Sequence, residues 1–218
     1  CKIQTKISQE ISKYIMQNWK DTIYDEYTQK GLLRNIMLRE GFATNEIMVV
    51  LVQNGEDNIV NKAESVSTCD TSTKIKLKSF DVDKLLEKFP QIKTVVVNIN
   101  TENTNVILSN KNITIYGNGC ITDILCGYKF NISSNSFYQV NHTQTEKLYS
   151  LAIEKAKLTN DDILCDLYCG IGTIGIIASK KVKKVYGIEI VKEAIEDAKE
   201  NARINNINSI EFINGDVE

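Results

Sequence analysis

The run Asp166-Leu-Tyr168-Cys-Gly170-Ile-Gly172-Thr173-Ile-Gly175 sets three glycines in a G-x-G-x-x-G spacing, with a carboxylate just ahead of them. Glu189 follows 19 residues after Gly170, and Asp216 closes a short Asn-Gly-Asp run. Glycines let backbone amides approach a ligand, and an acidic residue one strand later accepts from ribose hydroxyls, so the pattern suits an adenine nucleoside. The same glycines can also do no more than make a tight turn. Two ligand classes compete for such a loop. A dinucleotide lays a pyrophosphate against it, where Asp166 would repel the charge. S-adenosylmethionine brings an ammonium and a sulfonium and no phosphate, so Asp166 favours the methyl donor. Asp216 is placed to accept from an adenine amino group, the alternative being an ordinary turn aspartate.

Positioning these residues requires alternating strands and helices. Strand Ile163–Leu167, helix Ile174–Ser179, strand Val185–Ile190, helix Val191–Asn205 and strand Ile210–Ile213 predict parallel pairing with crossovers, the first half of a doubly wound, Rossmann-like α/β sheet. Ahead of them, Thr143-x-x-Glu146 has capping-box spacing and opens a helix with Leu148, Leu151, Ala152 and Ala156 on one face. Before residue 133 the pattern differs. Ile3, Ile7, Ile11, Ile15 and Trp19 recur at steps of four and predict an amphipathic helix. Leu32 to Arg39 and Glu46 to Gln53 read as a hairpin around residues 40–45. A helix opened by Asp81 is stopped by Pro90, and Thr94–Ile99, Asn105–Leu108, Ile113–Tyr116 and Ile121–Leu125 read as strands. The organisation is therefore a smaller α+β domain over 1–132 and the N-terminal half of a Rossmann-like domain over 133–218.

Composition excludes several classes. The 218 residues carry 26 basic and 28 acidic side chains, 42% hydrophobic and 25% charged residues, an ordinary folded balance. Near-neutrality offers no global charge for nucleic acid, so RNA or DNA contact needs a local patch. No apolar run approaches a membrane span, and no basic-then-apolar leader is present. Six cysteines (1, 69, 120, 126, 165 and 169) form no C-x-x-C pair, and His142 is the single histidine. That leaves no zinc motif and no Ser-His-Asp or Cys-His constellation, and it favours a reducing cytoplasm over a disulfide scaffold. A start at Cys1 and an end straight after a strand suggest a piece of a longer protein.

Ser136-Phe-Tyr-Gln139-Val-Asn141, Asp166-Leu-Tyr-Cys-Gly-Ile-Gly-Thr173, Gly187-Ile-Glu189 and Glu200-Asn-Ala-Arg-Ile-Asn205 together resemble the RNA uracil-5-methyltransferases. Gly31-Leu-Leu-Arg34-Asn-Ile-Met-Leu-Arg39 and Asn98-Ile-Asn-Thr-Glu-Asn-Thr-Asn105 extend the resemblance over nearly the whole chain. The resemblance implies S-adenosyl-L-methionine-dependent methylation of uridine C5 in rRNA or tRNA. It implies a donor pocket lined by Gln139, Asp166, Tyr168, Gly170, Gly172, Thr173, Glu189 and Asp216. In that family a cysteine thiolate adds to C6 of uracil, making C5 nucleophilic, and a base later removes the C5 proton. The nucleophile and base follow an Asp-Pro-Pro-Arg segment, and the single proline here is Pro90, so no catalytic residue is assigned in this chain. Cys165, expected inside a buried strand, and Cys169, in the cofactor turn, are read as structural thiols. Some members hold an iron–sulfur cluster; Cys1 falls near its fourth ligand, so a cluster would belong to a longer parent only.

The expected partner is an RNA substrate, with no membrane and no obligate protein partner evident. Arg34 and Arg39 on a predicted strand suit either RNA phosphates or surface pairing. Lys180, Lys181, Lys183 and Lys184 suit a solvated turn, and Lys74, Lys76 and Lys78 one strand face. Two other functions stay open: an NAD(P)-binding oxidoreductase module, disfavoured by Asp166, and a non-catalytic RNA-binding piece of a larger enzyme.

Overall fold

A computed structural model of the chain describes residues 4–61 and 75–217. Ile3 of the predicted helix, Cys1, Cys69 and Lys74 lie outside the described residues. The chain divides into two compact units, Cys1–Glu40 with Ile47–Gly119, and Gly41–Glu46 with Cys120–Glu218. The stretch 120–132, assigned to the first domain by sequence pattern, groups with the second unit.

The first unit contains α1 (Lys6–Asn18), β1 (Leu33–Gly41) and β2 (Glu46–Gln53), whose residues Gly41 and Glu46 are counted in the second unit, and β3 (Ile59–Asn61), β4 (Ile75–Leu77), α2 (Val82–Lys88), β5 (Ile92–Ile99) and β6 (Asn112–Tyr116). Its main sheet runs β1-β2-β5-β6, with β2 and β5 parallel and β5 and β6 antiparallel; β3 and β4 form a separate pair. The Thr5 hydroxyl caps α1 by accepting from the Ser8 amide, and the four-residue stripe puts Ile11 and Ile15 in the core. Asp81 caps α2 in the same way. β2 is buried along nearly its whole length, as a strand with a parallel neighbour demands. Asn105–Leu108, expected as a strand, is not one. The Asn100 side-chain amide donates to the carbonyls of Val106 and Ile107, which occupies acceptors that a sheet ladder would need.

The second unit contains β7 (Cys120–Leu125), β8 (Tyr128–Ser133), α3 (His142–Lys155), β9 (Ile163–Leu167), α4 (Thr173–Ala178), β10 (Lys184–Glu189), α5 (Lys192–Ile204) and β11 (Ile210–Asn214). β7 and β8 form an antiparallel hairpin. The parallel sheet runs β11-β10-β9, with Gly187 opposite both Asp166 and Phe212, and Glu189 opposite Asn214. This is the predicted mixed α/β, Rossmann-like sheet. Its core joins Leu125 and Phe130 of the hairpin to Tyr149 and Ile153 of α3, Ile176 and Ile177 of α4, and Ala202 of α5.

Three expectations about this unit are corrected. Asn141, not Thr143, caps α3, its side chain accepting from the Gln144 amide; Glu146 instead accepts from the Cys126 amide. The inward face of α3 is Thr145, Tyr149 and Ile153, whereas Leu148 and Leu151 are exposed, because Tyr149 and Ile153 pack against the Phe130 side of the core. Cys165 is exposed rather than interior. β9 is an edge strand whose inward residues are Leu164 and Asp166, so Ile163, Cys165 and Leu167 share its open face.

α5 fastens the hairpin to the rest of this unit through side-chain amides. Asn205 accepts from the Lys129 amide at 3.0 Å and donates to its carbonyl at 2.6 Å. One helical turn earlier, Asn201 accepts from the Asn131 amide at 2.7 Å and donates to the carbonyls of Asn131 and Ile171 at 3.3 and 3.2 Å. Another turn earlier, Asp197 accepts from the Ser133 hydroxyl at 2.8 Å. Asn201 is fully buried, so each group it satisfies would otherwise be stranded from water. Asn201→Ala should therefore destabilise the second unit by about 2–3 kcal/mol. Urea unfolding followed by circular dichroism checks this, and a loss near zero would mean that water replaces the amide.

Candidate functional site

Asp166, Tyr168, Gly170, Gly172, Thr173, Glu189 and Asp216 lie at or just beyond the C-terminal ends of the three parallel strands. Between β9 and α4 the chain turns through Tyr168 (φ 58°), Gly170 (φ 54°) and Gly172 (φ 80°), three left-handed residues in five positions. The Cys169 amide donates to the Ile188 carbonyl at 3.0 Å and the Gly172 amide to the Cys169 carbonyl at 2.9 Å, which folds the loop over the end of β10.

The two glycines have different reasons to be glycine. A Cβ at Gly172 would lie 2.8 Å from the Phe212 ring, so this position serves close packing on β11. A Cβ at Gly170 would meet nothing within 4 Å, so beyond its positive φ the space beside it is open. Tyr168 is a bulky residue in a glycine-favoured conformation and is 67% exposed, a combination that marks functional loops. Thr173 begins α4 and is half-buried.

Three carboxylates surround this loop. Asp166 is buried, and its Oδ2 accepts from the Gly175 amide at 2.8 Å. Burial pushes its pKa above the ordinary carboxylate value, and the Gly175 hydrogen bond opposes that shift. Glu189 spans two elements, Oε2 accepting from the Gly170 amide at 3.1 Å and Oε1 from the Val191 amide at 2.9 Å. Each oxygen retains a further acceptor site. The Glu189 carbonyl accepts from the Gly215 amide at 3.1 Å and from Asn214 Nδ2 at 3.0 Å, which brings the turn carrying Asp216 beside it. Asp216 is exposed. Gln139 lies on a different segment, the stretch between β8 and α3, where it too is exposed.

Charge and space define what this arrangement accepts. Residues 166–175 contain no basic side chain, and the nearest acidic groups would oppose a pyrophosphate. The space beside Gly170 is open, and Asp166, Glu189 and Asp216 give its border a negative character. Cys169 has a thiol pushed up to about 12, first by burial and then by Asp166 and Glu189. It is a protonated neighbour of the loop, not a poised nucleophile.

Sequence pattern alone missed Asn201, which holds the Ile171 carbonyl of this loop, and Asp197, which holds Ser136. The available signal was the stripe Asp197, Asn201, Asn205, polar at helical spacing beside the apolar Ile195, Ala198 and Ala202. Other flagged residues lie elsewhere. Arg34 donates to the carbonyls of Asn100 and Glu102 and lies over the Tyr24 ring at 4.5 Å. Burial lowers the pKa of Arg39. Lys180 and Lys181 sit in a 3-10 turn, Lys184 pairs with Glu211 and Lys76 with Asp83. Among the described residues, no group of three or more His, Cys, Asp or Glu side chains is placed to hold a metal ion. No described helix is long and apolar enough to cross a membrane.

Comparison with known proteins agrees with the geometry. Residues 85–218 match the tRNA (uracil-5-)-methyltransferase family model. A Staphylococcus aureus protein described as an uncharacterized RNA methyltransferase is 41% identical over all of this chain and 45% of its own length. One from Clostridium acetobutylicum with the same description is 46% identical over 89% of this chain and 39% of its own. The chain thus spans about half the length of the curated relatives it matches. Among solved structures, the Pyrococcus abyssi tRNA (uracil-54, C5)-methyltransferase in complex with S-adenosyl-L-homocysteine superposes with a TM-score of 0.67 at 25% identity. That match covers 95% of this chain and 45% of the other. From the glycine loop, the strand-end carboxylates and these matches together, the chain belongs to the tRNA (uracil-5-)-methyltransferase family.

Proposed function

We propose that this chain forms the methyl-donor half of an S-adenosylmethionine-dependent enzyme that methylates C5 of uridine in rRNA or tRNA. The observation that carries the reading is the loop 168–172, open beside Gly170 and bordered by Asp166, Glu189 and Asp216. Bound donor would supply an electrophilic methyl group on a sulfonium. The chain's own residues then divide the work of holding it. Glu189 accepts from the ribose hydroxyls, Asp216 from the adenine amino group, and Asp166 offsets the positive charge. The Gln139 amide meets the methionine end, and Tyr168 lies along the ligand. Binding of S-adenosylhomocysteine by the Pyrococcus abyssi relative supports the assignment.

The nucleophile is placed outside the two thiols of this region. Cys169 stays protonated near two carboxylates, and Cys165 stands on the exposed face of β9, opposite the face that carries Asp166. RNA is the proposed substrate partner, the compartment is the cytoplasm, and any iron–sulfur cluster belongs to a longer parent.

Isothermal titration should show the chain binding S-adenosylhomocysteine but not NAD. Glu189→Ala should weaken that binding by about 1–3 kcal/mol, through lost ribose acceptors and a loosened Gly170. NAD binding, or unchanged affinity in the variant, would contradict the pocket.

A second test concerns chemistry. The protein that carries this chain should form 5-methyluridine in RNA supplied with a methyl-labelled donor, read by mass spectrometry of nucleosides. Product should persist in Cys165→Ala and Cys169→Ser, and its disappearance in either would make that thiol the nucleophile.

Asp166 gives a third expectation, with a definite sign. A raised carboxyl pKa means that the folded state holds the proton more tightly than the unfolded one. Its contribution to stability is therefore lost as pH rises above 3.8 and through the folded value. Asp166→Asn keeps an acceptor for Gly175 and removes that loss. Thermal melts from about pH 4 to 7 should show the variant gaining on the wild type as pH rises, while donor affinity falls. A variant that loses ground toward neutral pH would show that the carboxylate is a net stabiliser.

A further inference from the structure

The segment 134–141 belongs to no sheet, yet its residues 134–139 alternate between buried and exposed like a strand. Ser136 is 3% exposed, Phe137 73%, Tyr138 is half-buried, Gln139 is exposed and Val140 is 82% exposed. Without ladder bonds to a neighbouring strand, such an alternation must be imposed by side chains. Two carboxylates from different elements do so. Asp197 Oδ2, on α5, accepts from the Ser136 hydroxyl at 2.7 Å and from the Ser133 hydroxyl at 2.8 Å. Those two hydroxyls lie 2.7 Å apart, and Ser136 Oγ also accepts from the Ser133 amide at 3.0 Å. Asp123 Oδ2, on β7, accepts from the Tyr138 hydroxyl at 3.1 Å, while its Oδ1 accepts from the Ala43 amide at 2.8 Å. Asp123 is fully buried, a placement that carboxylates tolerate only when hydrogen-bonded. His142, which follows the segment, sets Nε2 3.8 Å from Asp123 Oδ2 and 2.7 Å from the Ile124 carbonyl.

We propose that Asp123 and Asp197 are positioning residues that clamp Tyr138 and Ser136 inward and thereby present Gln139 outward to the methyl donor. The clamp follows from the alternation. Pinning two residues that are two apart fixes the face on which the residues between and after them emerge. Phe137 and Gln139 emerge together, at a position that neither carboxylate touches. Charge-assisted bonds suit this task because each holds a hydroxyl more firmly than a neutral acceptor would. Asp197 also belongs to the stripe that holds β8, so the segment's first anchor is continuous with the framework of the unit. The presenting role rests on the donor reading given above; the clamp itself does not.

The test uses the full chain with Tyr138→Phe, Asp197→Ala, Asp197→Asn and Gln139→Ala, read by amide hydrogen exchange over 134–140 and by titration with S-adenosylhomocysteine. Tyr138→Phe, which loses one charge-assisted hydrogen bond, should speed exchange in this segment and weaken binding about tenfold, and Asp197→Ala, which loses two, at least as much. Asp197→Asn, which retains one acceptor, should recover most of the affinity. Gln139→Ala should weaken the wild type but add little in the Asp197→Ala background, since coupled residues do not add. Unchanged exchange in both anchor variants would overturn the clamp. Faster exchange with a full, additive Gln139→Ala effect would overturn the presenting role. A wild-type chain that takes no S-adenosylhomocysteine would refute the donor reading and the presenting role together, and the exchange rates would then decide the clamp alone.

Discussion

The second unit depends on one match of repeats between a helix and a strand edge. Four residues of α5 advance about 6 Å, and two residues of β8 advance about 6.6 Å, so side chains at every fourth helical position can meet every second strand position. Asn205, Asn201 and Asp197 meet residues 129, 131 and 133 in that order, the helix and strand running in opposite senses. The amides act as a surrogate neighbouring strand, which satisfies the outer edge of a two-stranded hairpin that would otherwise stand open. The same stripe reaches past the hairpin. Asn201 holds the Ile171 carbonyl in the glycine loop, and Asp197 holds Ser136 ahead of Gln139.

Electrostatics gives the loop its character. Asp166 and Glu189 flank it, and no lysine or arginine falls within residues 166–175. Both carboxylates bond backbone amides of the loop, so the groups that shape it are also the groups that set its charge. Cys169 bears the consequence, since two nearby negative charges and burial hold its thiol far from ionisation. A thiolate and a cation make opposite demands on the same field, and carboxylates near this loop favour a cation.

Sequence pattern anticipated the parallel strands and the glycine loop because both are local: apolar periodicity and glycine spacing depend on residues close together in the chain. It also anticipated α1 from Ile11 and Ile15. What it missed depends on distant partners. The strand expected at Asn105–Leu108 yields to Asn100, which claims its carbonyls. The exposure of Cys165 reflects an uncovered face of β9, shared with Ile163 and Leu167, which no property of the pentapeptide Ile163–Leu167 encodes. Leu148 and Leu151 looked like a core face until Tyr149 and Ile153 proved to meet Phe130. At the candidate site, the residue types were readable, but not the bonds of Glu189 to Gly170 or of Asn201 to Ile171, which join elements 19 and 30 residues apart.

The proposed donor site joins the glycine loop, Glu189, Asp216 and Gln139. Amide chemical-shift mapping of the nitrogen-15-labelled chain during titration with S-adenosylhomocysteine tests it most directly. The account predicts saturable shifts at residues 168–173, 189–191 and 214–217 and at Gln139, with residues 6–40 and 92–116 unmoved. Shifts confined to the first unit, or a spectrum unchanged at saturating ligand, would contradict it.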